Sequence, residues 1–309
     1  MKLRGNLLTA AAVVVLTMSA APAVAERPSP TMVPPVPGLV ITQSAMPFAD
    51  TWNTLTDALN ANPNIGVVKV IDHAANAASA GLALEPNRVV FFGNPNLGTP
   101  LMQVNQTVGI DLPQKILVWE ESDAVYVGYN AVGYLAARHQ LGVAPTLETI
   151  AAALRGLSGA AAGTDVDDGR VKRTEYVARH PGLVTVASNT DVDATFARLL
   201  TAIEGSPANV AFTVDHAANA ASVGRELRPT RLVVFGNPNL GTPLMDASAT
   251  AGIDLPLKIL VWEDEGGVTQ VTHTDMRYLV KRHRIHGERE LVDTIAAALE
   301  NFAAAATGS

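Results

Sequence analysis

The chain contains no cysteine among its 309 residues. This absence excludes disulfides, zinc sites with thiolate ligands, iron–sulfur clusters, thiol catalysis and lipoprotein acylation. Charge is also scarce: charged residues make up only 17% of the chain, and 22 basic side chains stand against 29 acidic ones, for a net charge of −7. Because a general nucleic-acid binder needs a surplus of basic residues, the composition predicts no nucleic-acid partner.

Hydrophobic residues, in contrast, make up 48% of the sequence. A chain this apolar and weakly charged is expected to fold around a core and not to stay disordered. At about 150 residues per domain, its length predicts two domains.

The first 25 residues have the features of an export signal. Lys2 and Arg4 precede an apolar stretch over residues 7–21, and a small-x-small cleavage site ends at Ala25. We therefore predict a signal peptide over residues 1–25, cleaved near Ala25, and a mature protein that is secreted or held in the cell envelope or periplasm. The alternative, a membrane anchor, is disfavoured because the apolar stretch is short and is followed by a proline. No later stretch approaches the ~20 apolar residues of a membrane-spanning helix, so the mature chain is predicted to have no transmembrane segment.

A long internal repeat decides the domain organisation. Residues 72–79 recur without change as residues 215–222, and residues 92–102 recur as residues 235–245. The sequence therefore predicts one domain present twice. The predicted boundaries are a Pro-rich extended arm over 26–37, a first repeat domain over 38–157, a flexible linker over 158–175 and a second repeat domain over 176–309.

Hydrophobic periodicity predicts the same order of elements in both repeats. Amphipathic patterns predict helices over 48–60 and 192–204, and β-branched or aromatic runs predict several strands. Because strands and helices do not alternate regularly as βαβ units, we predict an α+β fold. Each repeat is expected to be a two-layer domain, a sheet with helices over one face, duplicated in tandem.

The Asp72-His73 pair and its copy, Asp215-His216, are the best chemical candidates. A histidine beside a carboxylate can transfer protons or bind a metal ion. If the preceding strand continued, however, the two side chains would point to opposite faces. If a helix began here, the aspartate would be its N-cap, and both interpretations stay open.

The segment Gly-Asn-Pro-Asn-Leu-Gly-Thr-Pro also occurs in both repeats. Its glycines permit positive φ, its prolines fix φ, and its asparagines can bond their own backbone. It is either a structural turn or a rigid loop that offers N–H groups to a ligand, including an anion. The candidate ligand-binding residues are Asp72, His73, Asn76, Gly93, Asn94, Pro95, Gly98 and Thr99 in the first repeat and Asp215, His216, Asn219, Gly236, Asn237, Pro238, Gly241 and Thr242 in the second.

Met102 and Met245 add a soft sulfur to each repeat, so the sequence allows a copper site formed with His73 or His216. These four residues are the metal candidates. No metal site is assigned, and the sequence leaves the cofactor unknown.

Two further histidines, His139 and His283, recur after an arginine at the end of a predicted helix. A positive side chain at that position suits the helix dipole, which is a structural role.

The recurring motifs together resemble domain of unknown function family 302. The motifs are Asp-His-Ala-Ala-Asn-Ala, Gly-Asn-Pro-x-x-Gly-Thr-Pro-Leu-Met, Gly-Ile-Asp-Leu-Pro and Lys-Ile-Leu-Val-Trp-Glu, and both copies keep them. The resemblance covers residues ~38–157 and ~180–302. It implies a compact α+β domain that commonly pairs as a homodimer, so the two repeats are expected to pair within the chain as a pseudo-dimer. It implies no reaction and no catalytic residues.

Retention of the same motifs in both repeats, without a recognisable catalytic set, predicts an exported module that binds a small molecule, an anion or a metal ion. Two alternatives stay open. One is a hydrolase-like or metal-assisted enzyme that uses His73 and His216, and the other is a structural pseudo-dimer that makes protein contacts.

Overall fold

The structure is a computed structural model that describes residues 33–169 and 174–308. The predicted signal peptide and most of the predicted arm lie outside the described residues. The first repeat comprises β1 (Leu39–Gln43), α1 (Phe48–Asn60), β2 (Gly66–Asp72), α2 (His73–Ser79), β3 (Asn87–Gly93), α3 (Pro95–Val104), a 3-10 helix (Gln106–Ile110), β4 (Gln114–Glu121), β5 (Ala124–Asn130), α4 (Val132–His139) and α5 (Leu147–Ala162). The remainder comprises α6 (Thr174–Arg179), β6 (Leu183–Ala187), α7 (Val192–Glu204), β7 (Asn209–Asp215), α8 (His216–Ser222), β8 (Thr230–Gly236), α9 (Pro238–Ala247), a 3-10 helix (Ala249–Ile253), β9 (Leu257–Glu263), β10 (Thr269–Thr274), α10 (Met276–His283) and α11 (Arg289–Thr307).

Each repeat forms a five-stranded antiparallel sheet with the same topology. The strand order is β1-β5-β4-β3-β2 in the first repeat and β6-β10-β9-β8-β7 in the second. Because side chains alternate along a strand, each sheet has two distinct faces. In β3, Val90 and Phe92 pack with residues of helices α1 and α5, whereas Val89 and Phe91 belong to the core on the other face. The predicted α+β fold, with helices over one face of the sheet, is confirmed.

The sheet faces without helices pack against each other and join the repeats. One apolar cluster contains Phe91, Leu117 and Trp119 of the first repeat together with Leu232 and Leu260 of the second. None of these side chains is more than 1% exposed. Since burying a large apolar side chain contributes about 1.5–3 kcal/mol, this shared core holds the two repeats together as a pair within one chain.

Two boundary regions differ from the sequence prediction. Val36, expected in an unpacked arm, is buried in the core between the sheets because it is apolar and leads directly into β1. Helix α5 continues to Ala162, five residues beyond the predicted end of the first repeat domain, and ends at Gly163, whose φ is +63°. Residues 158–162 are therefore helix and not flexible linker, since alanine favours helix and the glycine supplies the left-handed C-cap.

The Gly-Asn-Pro segment is the start of a helix, which corrects the expectation of a loop. The Asn94 side chain accepts a hydrogen bond from the Asn96 N–H at 2.9 Å and caps α3. Pro95 takes the first helical position, where a missing N–H costs nothing. Gly98 and Thr99 therefore lie inside a helix, and α9 begins in the same way in the second repeat. An asparagine followed by proline signals a helix start as readily as a turn.

Helix α9 contains Gly241 at a position where alanine fits. A Cβ there would lie 3.9 Å from its nearest neighbour, Cδ1 of Leu255. Because glycine costs a helix about 0.5–1 kcal/mol relative to alanine, Gly241→Ala is expected to raise the free energy of unfolding by that amount in urea denaturation. Gly252→Ala is the contrasting variant and is expected to destabilise the protein, since its Cβ would lie 2.5 Å from Oδ1 of Asn87. A Gly241→Ala protein less stable than the parent would contradict this account of the helix.

Candidate functional site

Asp72 ends strand β2 and caps helix α2, as one of the two sequence interpretations predicted. Its Oδ1 accepts a hydrogen bond from the Ala75 N–H at 2.9 Å, and its Oδ2 accepts one from Nε of Arg88 at 2.6 Å. Asp215 caps α8 in the same way. Because both oxygens of Asp72 are engaged by these groups, the carboxylate is not the hydrogen-bond partner that orients His73.

The ring of His73 reaches the other repeat. Its Nε2 lies 3.2 Å from the carbonyl oxygen of Gly252, and Nε2 of His216 lies 3.0 Å from the carbonyl oxygen of Gly109. Since a carbonyl oxygen only accepts hydrogen bonds, each Nε2 donates, and Nδ1 is the unprotonated nitrogen of the neutral ring. The two histidines therefore tie the repeats together, with one hydrogen bond in each direction.

Both histidines are held in the neutral form. Burial lowers the pKa of His73 and the pKa of His216 to about 4, and the hydrogen bonds to Gly252 and Gly109 oppose only part of that effect. General acid–base catalysis works best when the pKa of the group lies near the operating pH. At neutral pH these rings are thus suited to donating a fixed hydrogen bond and poorly suited to exchanging protons.

The repeated segments of opposite repeats meet in two clefts. The first cleft has a volume of about 710 Å³ and combines the Asp-His segment of the first repeat with the Gly-Asn-Pro segment of the second. Helix α11 and the cis Leu255–Pro256 peptide complete its wall. Its sequence-predicted residues are Asp72, His73, Asn76, Gly236, Asn237, Pro238, Gly241, Thr242 and Met245.

In the second cleft the two repeats exchange the segments that they contribute, and the volume is smaller, about 240 Å³. It combines the Gly-Asn-Pro segment of the first repeat with the segment after Asp215 in the second. Of the sequence-predicted residues, Asp215 alone lines neither cleft. The residues predicted from sequence that line the second cleft are Gly93, Asn94, Pro95, Gly98, Thr99, Met102, His216 and Asn219.

The walls are mainly apolar, with a few polar groups. Phe235, Leu244 and Phe302 are among the apolar residues of the first cleft. The hydroxyl of Thr242 in the first cleft and that of Thr99 in the second are buried and have no hydrogen-bond partner among the described residues. A buried polar group without a partner costs about 1–3 kcal/mol, so a ligand that bonded either hydroxyl would recover that energy.

Two of the four copper candidates, Met102 and His216, line the second cleft, and both lie close to Gly109. A Cβ placed on Gly109 would lie 3.3 Å from Sδ of Met102 and 3.4 Å from Cδ2 of His216. Nε2 of His216 is already bonded to the Gly109 carbonyl, which leaves Nδ1 as its metal-binding atom. In residues 33–169 and 174–308, no group of three or more histidine and carboxylate side chains is arranged to hold a metal ion.

A buried charge network also lies between the sheets, and the sequence interpretation did not include it. Oδ2 of Asp111 accepts hydrogen bonds from Nη1 of Arg138 and Nε2 of His139, both at 2.8 Å. Nζ of Lys115 lies 3.9 Å from the other carboxylate oxygen. Burial alone would raise the pKa of Asp111, but the Arg138 guanidinium and the His139 hydrogen bond hold it well below its ordinary value.

The second repeat carries the same network. Oδ2 of Asp254 accepts a hydrogen bond from Nη1 of Arg282 at 2.6 Å, and Nζ of Lys258 donates to the Asp254 carbonyl at 2.9 Å. Burial, followed by the charge of Lys115, lowers the pKa of Lys258 to about 7. Arg282 also donates to Oδ1 of Asn130 in the first repeat at 2.6 Å, so the network crosses the interface. The sequence does indicate this network, since these charged residues recur at matched positions within apolar segments.

His139 has a different role from the one predicted. Burial lowers its pKa, although the hydrogen bond to Asp111 opposes that effect, and its Nδ1 lies 2.9 Å from the Thr107 hydroxyl. His283 is bonded to Asp254 in the same way, at 2.9 Å. Because burial disfavours the charged ring, these histidines position the aspartates and do not compensate a helix dipole.

Comparison with known proteins shows which family the chain matches. The family model described as "Domain of unknown function DUF302" matches residues 40–157 and 184–306. The chain is also 42% identical over 104 residues to proteins named fluoride-specific ion channel FluC 1 from Brucella suis biovar 1 and Brucella abortus biovar 1. The matched part is 34% of this chain and 41% and 38% of those proteins, so the chain spans about two fifths of the length of these curated relatives. Across the part of the chain that the structure describes, no helix is long and apolar enough to cross a membrane.

One solved structure is also similar, a crystal structure of an uncharacterized conserved DUF302 protein from Bacillus stearothermophilus. The match covers 40% of this chain and 98% of that one, with a TM-score of 0.38 and 18% sequence identity. The two matches to the family model together take in well over half of the sequence, and each falls on one of the two sheets described above. The chain therefore belongs to the DUF302 family and carries two tandem copies of its domain.

Proposed function

We propose that this protein is a binding module whose two clefts each take a small, mainly apolar molecule, and that it acts after export. The observation that supports the proposal is the composition of the clefts. The segments that the repeats share do not form a site within either repeat but meet across the interface, around an apolar wall with an unpartnered threonine hydroxyl. The volume of the first cleft, about 710 Å³, lies within the ~300–1,000 Å³ range of small-molecule pockets.

A hydrolase-like or metal-assisted reaction has less support from the geometry. The carboxylate next to His73 is engaged with Ala75 and Arg88, and the ring itself donates to a carbonyl. A nucleophile and its base must lie within hydrogen-bond reach of each other, and the two histidines are each bonded to a backbone carbonyl of the opposite repeat. Binding without chemistry is the function that these contacts favour.

The name of the curated relatives raises fluoride as a ligand. A desolvated anion needs a compensating cation or several hydrogen-bond donors, because burying an unpaired charge is costly. The wall of the second cleft contains no lysine or arginine. We therefore infer that the second cleft favours molecules without a buried charge over a halide ion.

Two methionines make the proposal testable, because Met245 lines the first cleft and Met102 lines the second. With ¹³C-labelled methionine methyl groups, toluene is expected to shift both NMR signals in a saturable way. Ala298→Trp should fill the first cleft and weaken the response of Met245 at least tenfold, while the response of Met102 stays. Ala153→Trp should do the reverse in the second cleft.

The matched controls are Ala297→Trp and Ala152→Trp, which add the same side chain at exposed neighbours on the same helices. These control variants should bind toluene as the parent does. If toluene shifted neither methionine, or if the cleft-filling and control variants behaved alike, the proposed binding function would be refuted.

A further inference from the structure

At one pair of equivalent positions, the second cleft has a polar residue and the first cleft has an apolar one. Gln114 begins strand β4 and pairs with Phe92, and Leu257 begins strand β9 and pairs with Phe235. The two residues therefore occupy the same place in their sheets. Gln114 lines the second cleft, whereas Leu257 lines the first.

Gln114 brings a second unsatisfied donor to the wall of the second cleft. Its side chain is buried, at 8% exposure, and its Nε2 has no hydrogen-bond partner among the described residues. Thr99, at 0% exposure, has an unpartnered hydroxyl in the same wall. An amide nitrogen can only donate, and a hydroxyl can donate as well, so the pair is suited to a ligand atom that accepts.

The charged side chains in each wall determine whether the acceptor atom of the ligand can carry a charge. The first cleft includes Lys69 and Asp72 in its wall, but no charged side chain lines the second. An ionised carboxylate buried there would lose its hydration without gaining a cation, which is far more costly than burying a neutral carbonyl. The volume of about 240 Å³ is below the usual ~300–1,000 Å³ of drug-sized pockets, so the ligand is small.

We propose that the second cleft selects small uncharged molecules that present a carbonyl oxygen, such as amides, to Gln114 and Thr99. The first cleft, with leucine in place of the glutamine, lacks this selectivity. This inference rests on the proposed binding function and adds the class of ligand for one of its two sites.

Three probes that share a ring test the inference, namely benzamide, benzoate and toluene, each titrated against the Met102 methyl signal. Benzamide is expected to bind the second cleft at least tenfold more tightly than either toluene or benzoate. Gln114→Leu, which introduces the residue of the first cleft, should weaken benzamide about tenfold and should not weaken toluene. Leu257→Gln should give the first cleft a preference for benzamide, reported by Met245.

The results of these titrations distinguish a failure of the proposed selectivity from a failure of the proposed binding function. Equal affinity for all three probes, with all binding removed by Ala153→Trp, would leave the binding function standing and overturn the selectivity. Benzoate binding as tightly as benzamide, or a Gln114→Leu protein with unchanged benzamide affinity, would overturn it too. Failure of every probe to bind either cleft would refute both proposals.

Discussion

Asp111→Asn is expected to lower the free energy of unfolding by about 3–5 kcal/mol, the cost of removing one partner from a buried ion pair. The substitution preserves the size of the side chain and removes the negative charge that Arg138 and His139 contact. Arg138 and Lys115 would then be buried cations without the acid partner in their own repeat. Urea denaturation followed by tryptophan fluorescence measures the change, because Trp119 lies in the core between the sheets.

Asp246→Asn is the matched control, since Asp246 is exposed on α9, and it should change stability by less than about 0.5 kcal/mol. Asp254→Asn should reproduce the loss in the second repeat. The double variant Asp111→Asn, Arg138→Gln should lose less than the sum of its single variants, because the unpaired guanidinium is gone. If Asp111→Asn were as stable as Asp246→Asn, the network would contribute little to folding.

Acidification is expected to destabilise the protein between pH 6.5 and pH 4 through His73 and His216. The pKa of each ring is about 4 in the folded protein, below the ordinary value of 6.5 that applies in the unfolded chain. The unfolded chain therefore takes up a proton in this interval that the folded protein does not, so stability falls as the pH falls. The loss amounts to roughly 3 kcal/mol for each histidine at pH 4.

Glutamine isolates this effect because its amide can still donate to a carbonyl but does not titrate. His73→Gln should reduce the dependence of the unfolding free energy on pH between 6.5 and 4, and adding His216→Gln should reduce it further. His286→Gln, at an exposed position, is the control and should leave the pH dependence as it is. A pH dependence that survives in the double variant would assign the acid sensitivity to other groups. The buried histidines His139 and His283 would be the first candidates.

Local patterns predicted several elements within each repeat, although helices α3 and α9 were expected as a turn or a loop. Helices α1 and α7 have the bounds that their apolar spacing predicted. The N-cap role of Asp72 also followed from the sequence, since a short polar side chain before an alanine-rich segment stabilises a helix start. The α+β class followed in turn from the order of these elements.

The sites depend on contacts that no local pattern contains. The bond from His73 to Gly252 joins residues 179 positions apart, and nothing near either residue indicates it. Identity between the repeats marked the segments that line the two clefts, but their meeting across the interface arises from the packing of one sheet on the other. The charge network was missed for a related reason, because Asp111 and Lys115 lie in apolar segments whose periodicity describes a core and not its polar contents.

Because one chain carries both halves of each cleft, the clefts should persist in dilute solution. Two separate molecules that built such clefts between them would lose their sites below the dissociation constant of the pair. In a single chain each repeat meets its partner at a fixed effective concentration, which for short linkers is on the order of millimolar. Occupancy of the clefts should therefore depend on the concentration of the ligand alone and be the same at nanomolar protein as at micromolar protein.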